Sequence, residues 1–390
     1  MKRITTLILL SLFTLVVKGQ AIDHFLKSVE QNNPRLIALR KWLEAEAVRA
    51  KTGIYPDNPE FSYDYLWGNQ ASLGNPQETE ITQRFNLPWY YTLKADIQHL
   101  ELKQIQAMAE EEKSELEHSA RTVYLSLVWL NKKAHFLEMR NGEAIRLVAL
   151  MKDAFESGEI SKPTFDRARI YAVDINNELS KTRSEIEVYT RRLELLNGGR
   201  TVAQLLLEYP TDWELPNLDT FLHDMSLTNP YLVMARLNTE QAVKEIEHKQ
   251  MEALPVFEVG YRSERVLDQK LRGFHAGISI PLWQNANNVR HAQLQSEWSD
   301  AVFEQLSGEI KAEAISVYNE ALAYKNNFLH MKAILEEEKV TASNFDLLQS
   351  GYISFTEYLV DVGLIWEAQS QLIHNEFSYY VSFSKLLSLY

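Results

Sequence analysis

Phe155-Glu156-Ser157-Gly158-Glu159-Ile160-Ser161 and Leu348-Gln349-Ser350-Gly351-Tyr352-Ile353-Ser354 are two versions of one stretch, 193 residues apart. In each, a long helical pattern runs into a Gly and restarts at a Ser. A Gly just past a helix end takes the left-handed conformation that closes the helix. A Ser at the next start caps the free N–H groups of the following helix. Ser354 and Glu357 add an S-x-x-E capping box. Each copy therefore predicts a tight helical hairpin tip.

Working outward from the tips, the two halves repeat each other. Asn33-Pro34 opens a helical pattern that reaches about Tyr55, and Pro59-Glu60-Phe61 begins something new. Asn229-Pro230 and Pro255-Val256-Phe257 follow at an offset of 196. Phe85-Asn86-Leu87-Pro88-Trp89 matches Ile278-Ser279-Ile280-Pro281-Leu282 at 193. Each half reads helix, strand, strand, long helix, tip, helix.

The strands alternate. Phe61, Tyr63, Tyr65 and Trp67 share a face, opposite Ser62 and Asp64. Ile81, Gln83, Phe85 and Leu87 oppose Glu80, Thr82, Arg84 and Asn86. Phe257, Val259 and Tyr261 oppose Glu258, Gly260 and Arg262, and Phe274, Ala276, Ile278 and Ile280 oppose His275, Gly277 and Ser279. An aromatic-rich face opposite a charged face fits a strand between lipid and a wet lumen. A soluble antiparallel sheet on a small core is the other reading. The polar stretches 68–78 and 263–272 read as exposed loops. Trp89, Tyr90, Tyr91 and Trp283 lie just past the strands, where an interfacial aromatic girdle belongs. Four strands are too few for a membrane barrel, since the smallest have eight. An open sheet edge cannot sit in lipid, so membrane strands here require several chains in one barrel.

The helices carry heptads. Leu116, Ala120, Val123, Leu127, Leu130, Ala134, Leu137, Asn141, Ala144, Val148, Met151 and Phe155 step by fours and threes to the first tip. Phe165, Ala168, Ala172, Ile175, Leu179 and Thr182 continue after it, and Ile310, Ala314, Val317, Ala321, Tyr324 and Phe328 repeat the pattern in the second half. A sustained seven-residue repeat makes left-handed coiled coils. A helix from Trp89 to Ser157 would be ~100 Å long. The stretch from Asn197-Gly198-Gly199 to Asn229, with Pro210, Trp213 and Pro216, reads as an irregular equatorial belt. The predicted organisation is a signal peptide over 1–20, a first repeat over 21–200, the equatorial segment over 201–228 and a second repeat over 229–390.

Met1-Lys2-Arg3, the apolar run Ile4 to Val17 and the exit Lys18-Gly19-Gln20-Ala21 form a secretory signal pattern. The run is shorter than the ~20 residues of a spanning helix. Absence of Cys excludes disulfides, thiolate metal sites and a lipidated Cys. A net charge of -13 argues against a nucleic-acid partner. Among enzyme motifs, only Glu115-x-x-His118 and Glu245-x-x-His248 stand out, the E-x-x-H of di-iron bundles. With 10 His among 53 acidic residues, two such matches arise by chance. The expectation is no catalytic residue, no metal and no cofactor.

The duplicated helix-strand-strand-helix unit, the Pro at each strand-to-helix junction (Pro88, Pro281) and the G-x-I-S tips resemble the TolC family of outer-membrane factors, over about residues 22–390. The length is most similar to its heavy-metal-efflux, CzcC-like branch. The resemblance implies a homotrimer: a 12-stranded β-barrel in outer-membrane lipid, four strands per chain, continued by an α-helical coiled-coil barrel in the periplasm. It implies a passive efflux conduit that docks a periplasmic adaptor and an inner-membrane pump of the RND or ABC type. It places adaptor contacts at Gly158, Glu159, Ile160 and Ser161, and at Gly351, Tyr352, Ile353 and Ser354. It places a periplasmic gate near Glu357 and Asp361. Glu357 has a second reason to be there, as the capping-box partner of Ser354. Asp361 is expected on the heptad seam, with Val360 where the family usually has an aspartate. A periplasmic coiled-coil adaptor is the alternative, although an adaptor interrupts one hairpin with a lipoyl-like β domain and this chain has two hairpins.

Overall fold

The structure, a computed structural model, describes residues 20–67, 69, 74–202, 208–337 and 340–390. All of the signal peptide but Gln20 lies outside them, as do much of the 68–78 loop and part of the 201–228 segment. In chain order the elements are α1 (Gln20–Asn32), α2 (Pro34–Arg49), β1 (Glu60–Tyr65), β2 (Gln77–Phe85), α3 (Pro88–Glu156) and α4 (Lys162–Leu196), then α5 (Leu218–Thr228), α6 (Pro230–Glu252), β3 (Val256–Val266), β4 (Gln269–Ser279), α7 (Asn288–Glu337), α8 (Val340–Gln349) and α9 (Phe355–Leu387). Among the described residues, no helix is long and apolar enough to cross a membrane.

The two Asn-Pro pairs sit between helices, each for the same local reason. The Asn33 side chain accepts the Arg35 N–H at 2.9 Å, and the Asn229 side chain accepts the Leu232 N–H at 3.2 Å. Pro34 and Pro230 then take the first helical position, where a missing N–H costs nothing. The stretch expected to be irregular thus holds α5, whose start is capped by Asn217 accepting from Asp219 and Thr220. Helix α5 stands to α6 as α1 stands to α2, at the offset of 196 already seen. The helix expected to reach Tyr55 ends at Arg49, with Gly53 in the left-handed region at φ 71°.

The chain divides into two compact units. One comprises Leu39–Glu111 and Ser226–Ile310 and contains the sheet. Its order is β1-β2-β3-β4, antiparallel throughout. Register puts Phe61, Ile81, Tyr261 and Phe274 in one row across all four strands, with Phe85, Phe257 and Ile278 in a parallel row. This face is exposed: Phe274 at 93 % and Phe61 at 66 %. The opposite face carries cross-strand ion pairs. Arg84 meets Glu258 at 2.5 Å, Arg262 meets Glu78, and His275 lies 3.2 Å from Glu258. The expected loop over 263–272 is instead strand, with Ser263↔Arg272, Glu264↔Leu271, Arg265↔Lys270 and Val266↔Gln269 paired and only Leu267-Asp268 turning. Polar side chains do not end a ladder made by the backbone, and Leu267 at φ 56° supplies the tight hairpin geometry.

The other unit comprises Met1–Ala38, Glu112–Met225 and Lys311–Tyr390. The heptad positions Leu116, Ala120, Leu127, Leu130, Ala134, Leu137, Ala144 and Met151 are buried, as expected, whereas Val123, Asn141 and Val148 are half-buried and Phe155, at the tip, is exposed. Over 124–128, however, every residue is buried, so α3 is enclosed on all sides there. Phe25 of α1 stacks on Tyr124 at 6.0 Å. Residues 208–217 strap onto the last helices: Tyr209 stacks on Tyr380 at 4.4 Å, Trp213 on Phe383 at 5.1 Å, and the Tyr379 hydroxyl donates to the Trp213 carbonyl at 2.7 Å.

Helix α4 ends against α1 at close range. The Ser28 hydroxyl donates to the Asn197 side-chain oxygen at 2.7 Å, and the Asn33 amide donates to the Leu196 carbonyl at 2.9 Å. Gly198, at φ 68°, leaves no room: a Cβ there would lie 2.3 Å from the Asn32 carbonyl oxygen. Gly198→Ala is expected to destabilise this unit by about 3 kcal/mol, through left-handed strain and backbone displacement together. A thermal melt followed by circular dichroism checks it; an unchanged midpoint would show that the contact yields freely.

Candidate functional site: the helical tips and the two faces of the sheet

Both tips close by one device. At the first, the Gly158 N–H donates to the Phe155 carbonyl at 3.1 Å and the Glu159 N–H to the Ala154 carbonyl at 2.8 Å. At the second, the Gly351 N–H donates to Leu348 at 3.0 Å and the Tyr352 N–H to Leu347 at 2.9 Å. These paired bonds are the Schellman closure, and the Gly residues take φ 83° and 74°. A side chain at either Gly would meet open space, so conformation alone requires Gly.

The restarts differ. Ser354 forms the full capping box: its hydroxyl accepts the Glu357 N–H at 3.2 Å, and the Glu357 carboxylate accepts the Ser354 N–H at 2.8 Å. That backbone bond holds the Glu357 pKa below the usual carboxylate range. Ser161 occupies the equivalent position but makes no side-chain cap; its hydroxyl lies 3.1 Å from that of Thr164. The expectation that both serines cap therefore holds only at the second tip. Position four of the first capping frame is Thr164, whose side chain has no carboxylate to return the bond.

One hydrophobic core holds the helices of both tips. Met151 and Ala168 from the first hairpin pack in a cluster with Leu348, Phe355, Tyr358, Val362 and Trp366 from the second, and Ile160 and Ile353 pack against it. Phe155 stacks on Phe165 at 5.6 Å across the first tip. Burial pushes the Tyr358 hydroxyl up to about 12. Glu159, Ser161 and Ser354 are exposed, and Tyr352 reaches 81 % exposure. Glu357 and Asp361 lie one turn apart on the exposed side of α9. Asp361 is thus off the buried seam that was expected to hold it, because the seam runs through Phe355, Tyr358, Val362 and Trp366. Val360 and Leu364 are also exposed, at 58 % and 64 %.

The other sequence candidates fall elsewhere. His118 lies 3.0 Å from the Ser384 hydroxyl, and burial lowers its pKa. His248 is half-buried under the Tyr90 ring at 5.1 Å. The two E-x-x-H sequences belong to different units, and among the described residues no three His, Asp or Glu side chains are grouped to hold a metal ion. Of the expected girdle, Trp89 and Trp283 are exposed at 51 % and 82 %. Tyr91 instead accepts the Asn86 N–H at 2.9 Å, and Tyr90 packs edge-on against it. Sequence reasoning missed Arg140, whose guanidinium lies 5.8 Å from the Phe136 ring and 5.5 Å from Trp366. It also missed an open groove of about 530 Å³ lined by residues including Lys132, Phe136, Phe328 and Ile373.

No protein-family model matches the sequence, and no curated protein does. Solved structures match over nearly the whole chain. CusC, described in terms of transmembrane channel formation, superposes with a TM-score of 0.80 at 14 % identity, covering 95 % of this chain and 92 % of that one. The outer-membrane channel OprN gives 0.78 at 13 % identity, covering 95 % and 89 %. The outer membrane protein VceC of Vibrio cholerae gives 0.74 at 14 % identity, covering 94 % and 93 %. The fold is therefore TolC-like, as the sequence resemblance implies: long helices with a four-stranded antiparallel sheet.

The unequal caps give a direct expectation. Ser354→Ala should cost about 1 kcal/mol at the start of α9, whereas Ser161→Ala should stay within about 0.5 kcal/mol. Amide hydrogen exchange at the two helix starts measures both. Because the Glu357 pKa is lowered on folding, its contribution is present above the ordinary carboxylate value and is lost as pH falls through the folded one. The difference between Glu357→Gln and the parent protein should accordingly be full at neutral pH and vanish in acid.

Proposed function

We propose that three copies of this chain form the outer-membrane channel of a tripartite efflux system. It would be a passive conduit from periplasm to exterior, with its helical part in the periplasm. The observation that carries the reading is the four-stranded sheet. It exposes a largely apolar face, carries ion pairs on the other face, and among the described residues leaves β1 and β4 with unpaired edges. Unpaired backbone groups are costly in hydrocarbon. Three such sheets joined edge to edge give twelve strands and no edge. The likeness to solved outer-membrane channels supports this reading, as does the secretory signal pattern. A periplasmic adaptor would leave the exposed aromatic rows without a role.

In this assembly the polar face lines the lumen. There Glu60, Asp64, Glu78, Glu80, Glu258 and Glu264 outnumber Arg84 and Arg262. The tips around Gly158 and Gly351 contact a periplasmic adaptor, which couples the channel to an inner-membrane pump of the RND or ABC class. Glu357 and Asp361, four residues apart and exposed, bring six carboxylates from three chains to the periplasmic entrance. Such a ring favours cations and weakens with salt.

The protein is expected to fractionate with the outer membrane and to run as a detergent-stable trimer; a soluble monomer recovered without detergent would overturn the reading. In planar bilayers the trimer should prefer cations, and E357A combined with D361A should lower that preference. Ser354→Ala keeps both charges and should leave selectivity unchanged. If it reproduces the double variant, Glu357 is a cap and not part of a gate.

Gly158→Pro and Gly351→Pro test the tips. Pro cannot adopt the positive φ seen at either Gly, so docking and export should fail while the trimer still assembles. Normal export by both variants would remove the tips as the contact.

A further inference from the structure

The exposed apolar face of the sheet changes character along the strands. Near the junctions with α3 and α6 its rows are Phe85, Phe257 and Ile278, then Ile81, Tyr261 and Phe274 further on. The two rows nearest the Leu267-Asp268 turn are different. One holds Tyr63, Thr79, Ser263 and Arg272, and the next holds Tyr65, Gln77, Arg265 and Lys270. Arg265 and Lys270 are direct cross-strand partners, a like-charge pair that destabilises a sheet unless something compensates it. Arg272 lies on the same face, two residues along β4 from Lys270. All three cations are exposed, and among the described residues none has an ion-pair partner.

The carboxylates near them in sequence do not help: Asp268, in the turn, forms no ion pair among the described residues. Glu264 projects to the opposite face, as does Glu78, which is already paired with Arg262. The pleat therefore separates the charges, leaving three cations and two tyrosines on a face that continues into fully exposed Phe274. Tyrosines and cations beside an apolar band are the composition of a bilayer headgroup zone. The guanidinium fork matches phosphate oxygens two at a time. The apolar row directly below provides a surface for acyl chains, which a free phosphate would not use.

We infer that Arg265, Lys270 and Arg272 bind the phosphate of a phosphorylated glycolipid headgroup at the outer rim of the barrel. This rests on the channel reading, in which the helix junctions face the periplasm and the Leu267-Asp268 turn faces outward. The bound phosphate supplies the counter-charge that the Arg265–Lys270 pair lacks. The site would anchor the barrel in an outer leaflet of phosphorylated glycolipid.

The test uses the full-length protein reconstituted in phosphatidylcholine vesicles. It is titrated with bisphosphorylated lipid A, with dephosphorylated lipid A and with inorganic phosphate. The parent protein should bind the bisphosphorylated lipid preferentially. R265Q with K270Q and R272Q should weaken that binding about a hundredfold or more, while R265K with R272K should retain most of it. Glu264→Gln, on the opposite face, should bind as the parent does. If the triple variant does not assemble, Lys270→Gln alone carries the test, with about a tenfold loss. Unchanged binding by the glutamine variants, equal binding of dephosphorylated lipid A, or full competition by inorganic phosphate would each overturn the inference. Failure of the parent protein to insert as a trimer, read before any lipid A is added, would instead remove the channel reading itself.

Discussion

An unpaired strand edge cannot rest in hydrocarbon, and the proposed channel depends on this constraint. The ladder β1-β2-β3-β4 satisfies its interior backbone groups and, among the described residues, leaves the outer edges of β1 and β4 without strand partners. Over most of their length the side chains sort by face with the pleat, rings and aliphatic groups on one and ion pairs such as Arg84–Glu258 on the other; Arg265, Lys270 and Arg272 join the first face only near the turn. Each feature is cheap for a sheet that closes with copies of itself between lipid and water. Each is expensive for a soluble sheet, which would have to cover Phe61, Phe274 and Ile278.

The helical tips answer a different requirement. A long hairpin must reverse within a few residues and leave that reversal accessible. The Schellman closure does this with backbone bonds alone; Ile160 and Ile353 turn in against the core and Ser354 caps α9, while Glu159 and Tyr352 stay exposed. The supporting core lies just behind, where Met151, Ala168, Phe355 and Tyr358 join both hairpins in one cluster. The two copies have diverged at the restart. The second tip carries a reciprocal cap and a carboxylate at Glu357, and the first has a hydroxyl pair in its place.

The duplication extends further than its most visible motifs. Asn33-Pro34 and Asn229-Pro230 are each flanked by helices on both sides, and each Asn caps the helix that follows. The surroundings have nevertheless specialised. Residues 208–217 lie across α9 through Tyr209, Trp213 and the hydroxyl of Tyr379, and α3 is enclosed over 124–128. An enclosed stretch needs apolar or satisfied side chains all round: Tyr124, Leu125 and Val128 are buried beside the heptad positions, and the buried Ser126 hydroxyl donates to the Thr122 carbonyl at 2.7 Å.

The duplicated unit, the tips, the coiled-coil stripe and the alternating strands were all legible in the sequence. They depend on short-range rules: Gly at a left-handed position, a period of seven, a period of two. The four-strand count followed from the same local reading. What only the tertiary structure decided were matters of register and neighbours. Polarity over 263–272 suggested a loop, but cross-strand pairing carries both strands to Val266 and Gln269. Asp361 fitted the seam by spacing, but packing of Tyr358 and Val362 turned it outward. Ser161 resembled Ser354, yet a cap depends on where a hydroxyl points and on which residue stands three places on. The juxtaposition of Arg265 with Lys270 was likewise hidden, since sequence separation says nothing of who stands opposite until the register is known.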